Sequence, residues 1–151
     1  MSDSTKSTMA HKNRVKELMT EVIQELDFCA TVHDNSKLQE PEKSAFDRAT
    51  PRLKHLKYGT PKYKEALKHL GSALDHHYKV NRHHPEHWEL GIYGMDLLDL
   101  IELLADWKAA GERHEDNKGL RHSIEVNAER YGYDERFKEL LLRTADRMGW
   151  L

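Results

Sequence analysis

Residues 15–26, VKELMTEVIQEL, predict the fold class of this chain. Apolar side chains recur there at i, i+3, i+4, i+7, i+8 and i+11, which is the spacing of one face of an α-helix. The apolar positions are Val15, Leu18, Met19, Val22, Ile23 and Leu26. We expect this stripe to face the core, in a helix that runs from about residue 10 to Phe28. His11 precedes Val15 by four residues, so it is expected to face inward on the same stripe.

Helical periodicity continues to the end of the chain. The further helices predicted are 39–50, 60 to about 82–84, 95–113, 120–131 and 134–148. Thr60-Pro61 is a strong helix start, because threonine caps a helix and proline suits its first position. No segment shows the convincing alternation of a β-strand. We therefore predict an all-α, compact, single-domain helical bundle over residues 11–151, preceded by a disordered N-terminal tail at residues 1–10.

Composition narrows the class of protein. The 151 residues carry a formal net charge of −2 at pH 7, so no broad basic surface for nucleic acid is expected. No apolar run approaches the roughly 20 residues needed to span a bilayer, and residues 1–10 lack the apolar region of a secretory signal. The lone cysteine, Cys29, fits a reducing compartment. We expect a cytoplasmic protein that binds neither nucleic acid nor membrane.

The doublet His33-Asp34 is the most informative feature for chemistry. Adjacent helical side chains diverge by about 100°, so both can reach one divalent ion only where a helix ends or bends. His11 from an earlier helix and Asp106 from a later one would complete an open site that leaves room for water, as in catalytic metal coordination. Lys37 lies about one turn beyond the doublet, where its point charge suits a substrate phosphate.

Histidine is the compositional outlier, with 11 copies, several of them between residues 76 and 87. Seven residues turn a helix by about 700°, so residues seven apart form a row along it. His77 and His84 continue the row of Leu70 and its apolar neighbours, so they are expected to point inward. A second row contains His69, His76 and His83.

The predicted helix 95–113 combines an apolar face with three carboxylates. The apolar positions are Leu97, Leu98, Ile101, Leu104 and Ala105. Glu102 and Asp106 share a face, and Asp99 lies on nearly the same line. Such groups are costly to bury unless they are paired or metal-bound. For Asp99 and Glu102 a solvated acidic face and a role beside a metal, as orienting group or proton carrier, both stay open.

Three segments carry a resemblance to a known superfamily. They are HDNSKL (33–38), HHYKVNRHHPEHWE (76–89) and MDLLDLIELLADWKAAGERH (95–114). With His11, they resemble the HD-domain superfamily of metal-dependent phosphohydrolases, and more narrowly a small HD-like family of phages and bacteria. The resemblance implies an all-α HD-type fold in which His11, His33, Asp34 and Asp106 hold one divalent transition metal (Zn, Mn, Co, Fe or Ni). It also implies hydrolysis of a phosphate ester or anhydride, commonly on a nucleotide.

The predicted function is therefore a phosphohydrolase that acts on a small nucleotide, either a nucleoside monophosphate or a deoxynucleoside triphosphate. Lys37 and one of His77 or His84 would neutralise developing charge, and Glu102 or a histidine of the 76–87 segment would move the proton. A chain this short leaves little room for an elaborate specificity pocket, which favours a homo-oligomer with sites near its interfaces.

Two alternatives to this function stay open. The extra histidines resemble those of two-metal HD phosphodiesterases and di-iron HD oxygenases, in which His77 and His84 would hold a second ion. The other alternative is a nucleotide-binding module that keeps the HD scaffold without turnover.

Overall fold

The computed structural model of the chain describes residues 4–57, 60–113 and 118–151. Every regular element in these ranges is helical, which confirms the all-α prediction, while the HD type of the fold stays a prediction. The α-helices of the described ranges are α1 (Thr5–Val32), α2 (Lys43–Leu53), α3 (Pro61–Lys68), α4 (Ser72–Val80), α5 (Leu97–Glu112), α6 (Gly119–Tyr131) and α7 (Glu135–Arg147). Short 3₁₀ helices lie at Asn35–Leu38, Pro85–His87 and Gly91–Gly94. None of the described helices has the length and apolar character needed to cross a membrane.

The chain divides into two compact units, residues 1–33 and residues 34–151. Unit 1 contains α1, which begins at Thr5 and so includes residues 5–10 of the predicted tail. Within unit 1 the stripe in 15–26 does not face a core, in contrast to the prediction. No residue of α1 is buried, and Met19 and Ile23 are 61% and 62% exposed. His11 is exposed as well. A single helix has no second element in its own unit against which to bury a face.

The core of unit 2 lies among α5, α6 and α7. Its fully buried apolar side chains include Leu103, Leu104, Leu120, Ile124, Leu141 and Ala145. The face of α5 that packs here differs from the predicted one, since Leu97 is 71% exposed and Ile101 is 36% exposed, whereas Leu100 and Trp107 are buried. Apolar residues surround most of α5, so periodicity alone does not distinguish between its faces.

The histidine-rich segment is interrupted by a break that the sequence analysis missed. The predicted helix from Thr60 to 82–84 is two helices, α3 and α4, separated at Gly71. Gly71 has φ +50° and ψ −126°, a backbone conformation that residues other than glycine strongly disfavour. α4 then ends at Val80, and Asn81 is extended. The predicted seven-residue rows therefore do not exist, because His83 and His84 follow α4 instead of lying on it.

Candidate metal centre

Asp34 occupies a special backbone position. It directly precedes the 3₁₀ helix Asn35–Leu38 and has φ +57°, the only positive φ of a non-glycine residue in the described ranges. α1 ends at Val32, with His33 as its C-cap, so the helix end required by the doublet is present. A left-handed conformation at such a residue costs about 1–2 kcal/mol, and residues of this kind concentrate at functional sites.

Three histidines meet the Asp34 carboxylate. Asp34, His77, His83 and His84 each offer one donor atom, and these atoms all lie within 4.8 Å of one another. His77 Nε2 is 3.3 Å from Asp34 Oδ1, and His83 Nε2 is 3.6 Å from the same oxygen. His77 Nε2 and His84 Nε2 are 2.8 Å apart. These four residues, the Asp-His cluster, could hold a metal ion.

Two glutamates contact the opposite ring nitrogens. Glu42 Oε2 is 2.9 Å from His77 Nδ1, and Glu102 Oε1 is 3.0 Å from His83 Nδ1. A carboxylate accepts hydrogen bonds, so each contact favours a neutral ring that carries its proton on Nδ1 and keeps a lone pair on Nε2. Both lone pairs lie near Asp34 Oδ1, which is itself an acceptor. Electron pairs of two imidazoles and a carboxylate therefore converge, and a cation stabilises such an arrangement.

Burial favours the neutral form of His77 and His84. His77 and His83 are only 1% and 2% exposed. Burial, followed by the positive charge of Lys37, lowers the pKa of His77. Burial, followed by the proximity of His83 and His77, lowers the pKa of His84 to about 2. Because neutral imidazole is the form that binds a metal ion, the lowered pKa values of His77 and His84 favour their use as ligands near neutral pH.

The segment that carries His83 and His84 is held against the start of α5. Arg82 donates from Nε and Nη2 to the two carboxylate oxygens of Asp99, each at 3.1 Å. Its guanidinium lies 4.5 Å from the ring centroid of Trp88, whose Nε1 donates to the Arg82 carbonyl. Asp99 is buried and also closes the capping box of α5. The salt bridge and the aromatic contact therefore fix the backbone beside two cluster residues.

A cavity of about 790 Å³ in unit 2 adjoins the Asp-His cluster. Asp34, His77 and His84 line it, and so does Asp106. One carboxylate oxygen of Asp106 lies within 4.8 Å of one of Asp34. Lys37 also lines the cavity and donates to Asp34 Oδ2 at 2.6 Å.

Cations outnumber carboxylates in the described wall of this cavity. The basic side chains are Lys37, Lys54, Lys57, Arg113, Lys118 and Arg130, whereas the acidic ones are Asp34, Asp47 and Asp106. The excess of positive charge favours an anionic ligand. Trp107 and Tyr131 also line the wall, and their rings stack with centroids 6.2 Å apart.

The structure brings together the predicted site residues of unit 2. These are Lys37, Asp34, His77, His84, Glu102 and Asp106. Glu102 contacts this group through His83, so its carboxylate is not part of a purely solvated face, and the choice between orienting group and proton carrier stays open. His11 and His33 belong to unit 1, and their part in metal binding stays a prediction.

Sequence reasoning missed His83 and Glu42 as site residues. His83 was placed on a second row, with His69 and His76, because the helix was assumed to continue to residues 82–84, whereas α4 ends at Val80. The sequence signal that could have moved this end is Pro85, because a proline disfavours helical conformation at the residue before it. Glu42 carries no comparable signal, since an acidic residue near a helix start is common and its contact with His77 spans 35 positions.

One family model matches the chain over residues 1–148, and it is described as a family of unknown function, DUF5662. No curated protein matches the chain. No solved structure matches it either.

Proposed function

The chain belongs to the DUF5662 family, and we propose that it is a metal-dependent phosphohydrolase of the HD type that acts on a small nucleotide. The observation that carries the proposal is the Asp-His cluster in the wall of a cation-rich cavity. The cluster supplies ligands of the kind found in catalytic metal sites, and the cavity supplies a place for an anionic substrate.

The proposed ligands are Asp34, His77, His83 and His84. Imidazole and carboxylate donors suit Zn, Mn, Fe, Co or Ni, and availability often decides among them. An ion bound there would act as a Lewis acid on a phosphoryl oxygen and would lower the pKa of a bound water. His77 and His84 are thus proposed as ligands of the first ion. This role replaces the charge neutralisation and the second-ion role predicted for them from the sequence.

The ligand set implied by the HD resemblance is retained as part of the proposal. It contains His11, His33, Asp34 and Asp106, and it shares Asp34 with the Asp-His cluster. Because Asp34 belongs to both sets, the proposal allows for one bound ion or two. Metal counting decides between one ion and two.

Lys37 is the proposed contact for the substrate phosphate. Its side chain is 30% exposed in the cavity wall, and its ammonium lies 5.1 Å from the ring centroid of Phe46. The ion pair with Asp34 holds this charge beside the cluster. Glu102 is proposed to orient His83 rather than to move a proton, because its carboxylate is already engaged by the His83 ring.

The size and chemistry of the cavity support a nucleotide. Cavities of about 300–1,000 Å³ hold small-molecule ligands, and the cavity of 790 Å³ lies in this range. Basic side chains in the wall suit phosphate oxygens, and the stacked pair Trp107 and Tyr131 offers an aromatic surface for a base. Both a nucleoside monophosphate and a deoxynucleoside triphosphate meet these requirements.

Metal content and phosphate release test the proposal. The untagged protein, purified without added metal, is analysed for metal per chain together with Asp34→Ala, His84→Ala and His69→Ala. We expect both cluster variants to lose metal and the exposed His69 variant to retain it. Phosphate release from the two nucleotide classes should then follow the metal content. Wild-type protein that binds no metal even after reconstitution would overturn the proposal.

The remaining alternatives are outcomes of the same experiment. Two irons per chain with O₂ consumption would identify a di-iron oxygenase. Nucleotide binding without phosphate release would identify a binding module. A cytoplasmic location and a homo-oligomer belong to the proposal, and size-exclusion chromatography with light scattering tests the second of these.

A further inference from the structure

Glu42 is a buried acid that none of the predicted roles uses. Its side chain is 0% exposed, yet it lies at the N-cap of α2, where surface acids are common. A buried carboxylate is costly unless several donors surround it. Glu42 has three such partners: the Ser36 hydroxyl and His77 Nδ1 at Oε2, each at 2.9 Å, and His76 Nδ1 at Oε1, at 2.7 Å.

The direction of each hydrogen bond follows from counting protons. Asn81 Nδ2 lies 2.9 Å from His77 Nδ1, so in principle Asn81 could donate to that ring nitrogen. However, the amide has two hydrogens, and it has better-defined acceptors in Ser36 Oγ and the His77 carbonyl, both at 2.8 Å. With these bonds made, Ser36 donates onward to Glu42, and His77 Nδ1 is left as the donor to the same carboxylate.

We propose that Glu42 is a positioning residue of the metal centre, which holds His77 as the Nδ1–H tautomer so that its Nε2 lone pair faces Asp34. The inference rests on the proposed metal site and adds the residue that orients its most deeply buried ligand. Carboxylates that accept the outer N–H of a metal-binding histidine typically raise metal affinity by about 10–100-fold. Glu102 has the matching contact with His83, at 3.0 Å.

Two substitutions distinguish the loss of the hydrogen-bond acceptor at position 42 from a change in side-chain size. In Glu42→Gln the amide oxygen can still accept from Ser36 and His77, while its NH₂ faces His76, whose half-exposed ring can change tautomer at little cost. In Glu42→Met no acceptor remains for His77. We therefore expect Glu42→Gln to keep most of the affinity for Co²⁺ and Glu42→Met to lose about 10–100-fold.

The tautomer is read directly by NMR on metal-free protein labelled with ¹⁵N-histidine. We expect His77 to be the Nδ1–H form in the wild type and in Glu42→Gln, and to lose this preference in Glu42→Met. An Nε2–H form of His77 in the wild type would overturn the inference, and this test needs no variant to fold.

Co²⁺ titration followed by its visible spectrum completes the test. Leu141→Ala, in the apolar core of unit 2, is the control for lost stability and should keep wild-type Co²⁺ affinity. Equal affinity of Glu42→Met and the wild type would overturn the positioning role. Wild-type protein that binds no Co²⁺ would instead overturn the metal centre, and the tautomer spectrum would still decide whether Glu42 orients His77.

Discussion

His84 links the stability of the metal-free protein to pH. Its pKa is lowered to about 2 by burial, His83 and His77, while the neighbouring charges of Asp34 and Lys37 act in opposite directions. In the unfolded chain the pKa is about 6.5. Below that pH the unfolded chain binds a proton that the folded chain does not bind, so the free energy of unfolding falls as the pH falls. For this one group the loss from about pH 7.5 to about pH 5.5 is on the order of 1 kcal/mol.

Urea denaturation at the two pH values measures this dependence. His84→Gln should show a smaller loss of stability on acidification than the wild type, because the substituted group does not titrate. His69→Gln changes an exposed histidine and should behave as the wild type does. A pH dependence in His84→Gln that equals that of the wild type would contradict the prediction.

At the residue scale, the sequence indicates which side chains carry chemistry better than it indicates how they meet. The Asp34, Lys37 and Asp106 positions follow from motifs, and the structure places them close together. Glu42 could not be found this way, because its value depends on a contact with His77 that tertiary folding alone creates. A buried acid and a surface acid look the same in a sequence until their partners are known.

At the scale of helices, Gly71 separates α3 from α4. If α3 and α4 were one continuous helix, Gly71→Ala would stabilise the protein by about 1 kcal/mol. With φ +50° and ψ −126°, the same substitution should instead lower the free energy of unfolding by about 1–3 kcal/mol. Beyond the neighbouring residues, no atom in the described part of the chain lies within 4 Å of an added Cβ, so backbone strain is the cause rather than a clash. Thermal and urea denaturation show whether Gly71→Ala raises or lowers the free energy of unfolding.

Gly132→Ala provides a reference for the stability loss expected when alanine replaces a glycine with positive φ. Gly132 ends α6 with φ +67° and ψ 26°, a left-handed cap that other residues adopt at a cost of about 1–2 kcal/mol. We expect Gly71→Ala to lose at least as much stability as Gly132→Ala. A gain of stability for Gly71→Ala would show that the helix break is absent.

Arg82 positions the first part of the segment that connects α4 to α5. In Arg82→Gln the buried carboxylate of Asp99 loses its charged partner, and we expect a loss of about 1–3 kcal/mol in the free energy of unfolding. Co²⁺ affinity should fall as well, because His83 and His84 directly follow Arg82 in the chain. Arg143→Gln breaks an exposed ion pair with Glu139 and should change stability by about 0–1 kcal/mol. Equal effects of the two substitutions would contradict a positioning role for Arg82.

Local capping signals predict helix starts well, whereas face and end predictions fail where tertiary packing decides. Thr60 accepts from Tyr63 N at 3.3 Å, as the Thr-Pro pair predicts. The end of α2 was predicted at Thr50, before Pro51, yet the helix continues to Leu53. Proline inside a helix removes one intrahelical hydrogen bond and crowds the preceding turn, and α2 ends two residues after Pro51.

At the scale of the whole molecule, net charge conceals a local separation of charge. The chain carries a formal net charge of −2, but the described wall of the cavity is predominantly basic. Three of these cations, Lys54, Arg113 and Lys118, form no ion pair within the described part of the chain. We refer to them as the wall cations. Composition alone predicts no broad basic surface and cannot reveal a basic cavity.

Substitution of the wall cations tests whether the cavity binds nucleotides. In the triple glutamine variant, AMP affinity of the Co²⁺-loaded protein should fall by about 10-fold or more, because charged hydrogen bonds to phosphate are lost. Co²⁺ affinity should be unchanged, since none of the three belongs to the Asp-His cluster. The control removes the same charge from exposed Lys12, Lys16 and Lys79, none of which lines the cavity. Isothermal titration at two salt concentrations compares the variants. Equal losses would indicate a long-range charge effect, and unchanged AMP affinity in the first variant would place the nucleotide outside this cavity.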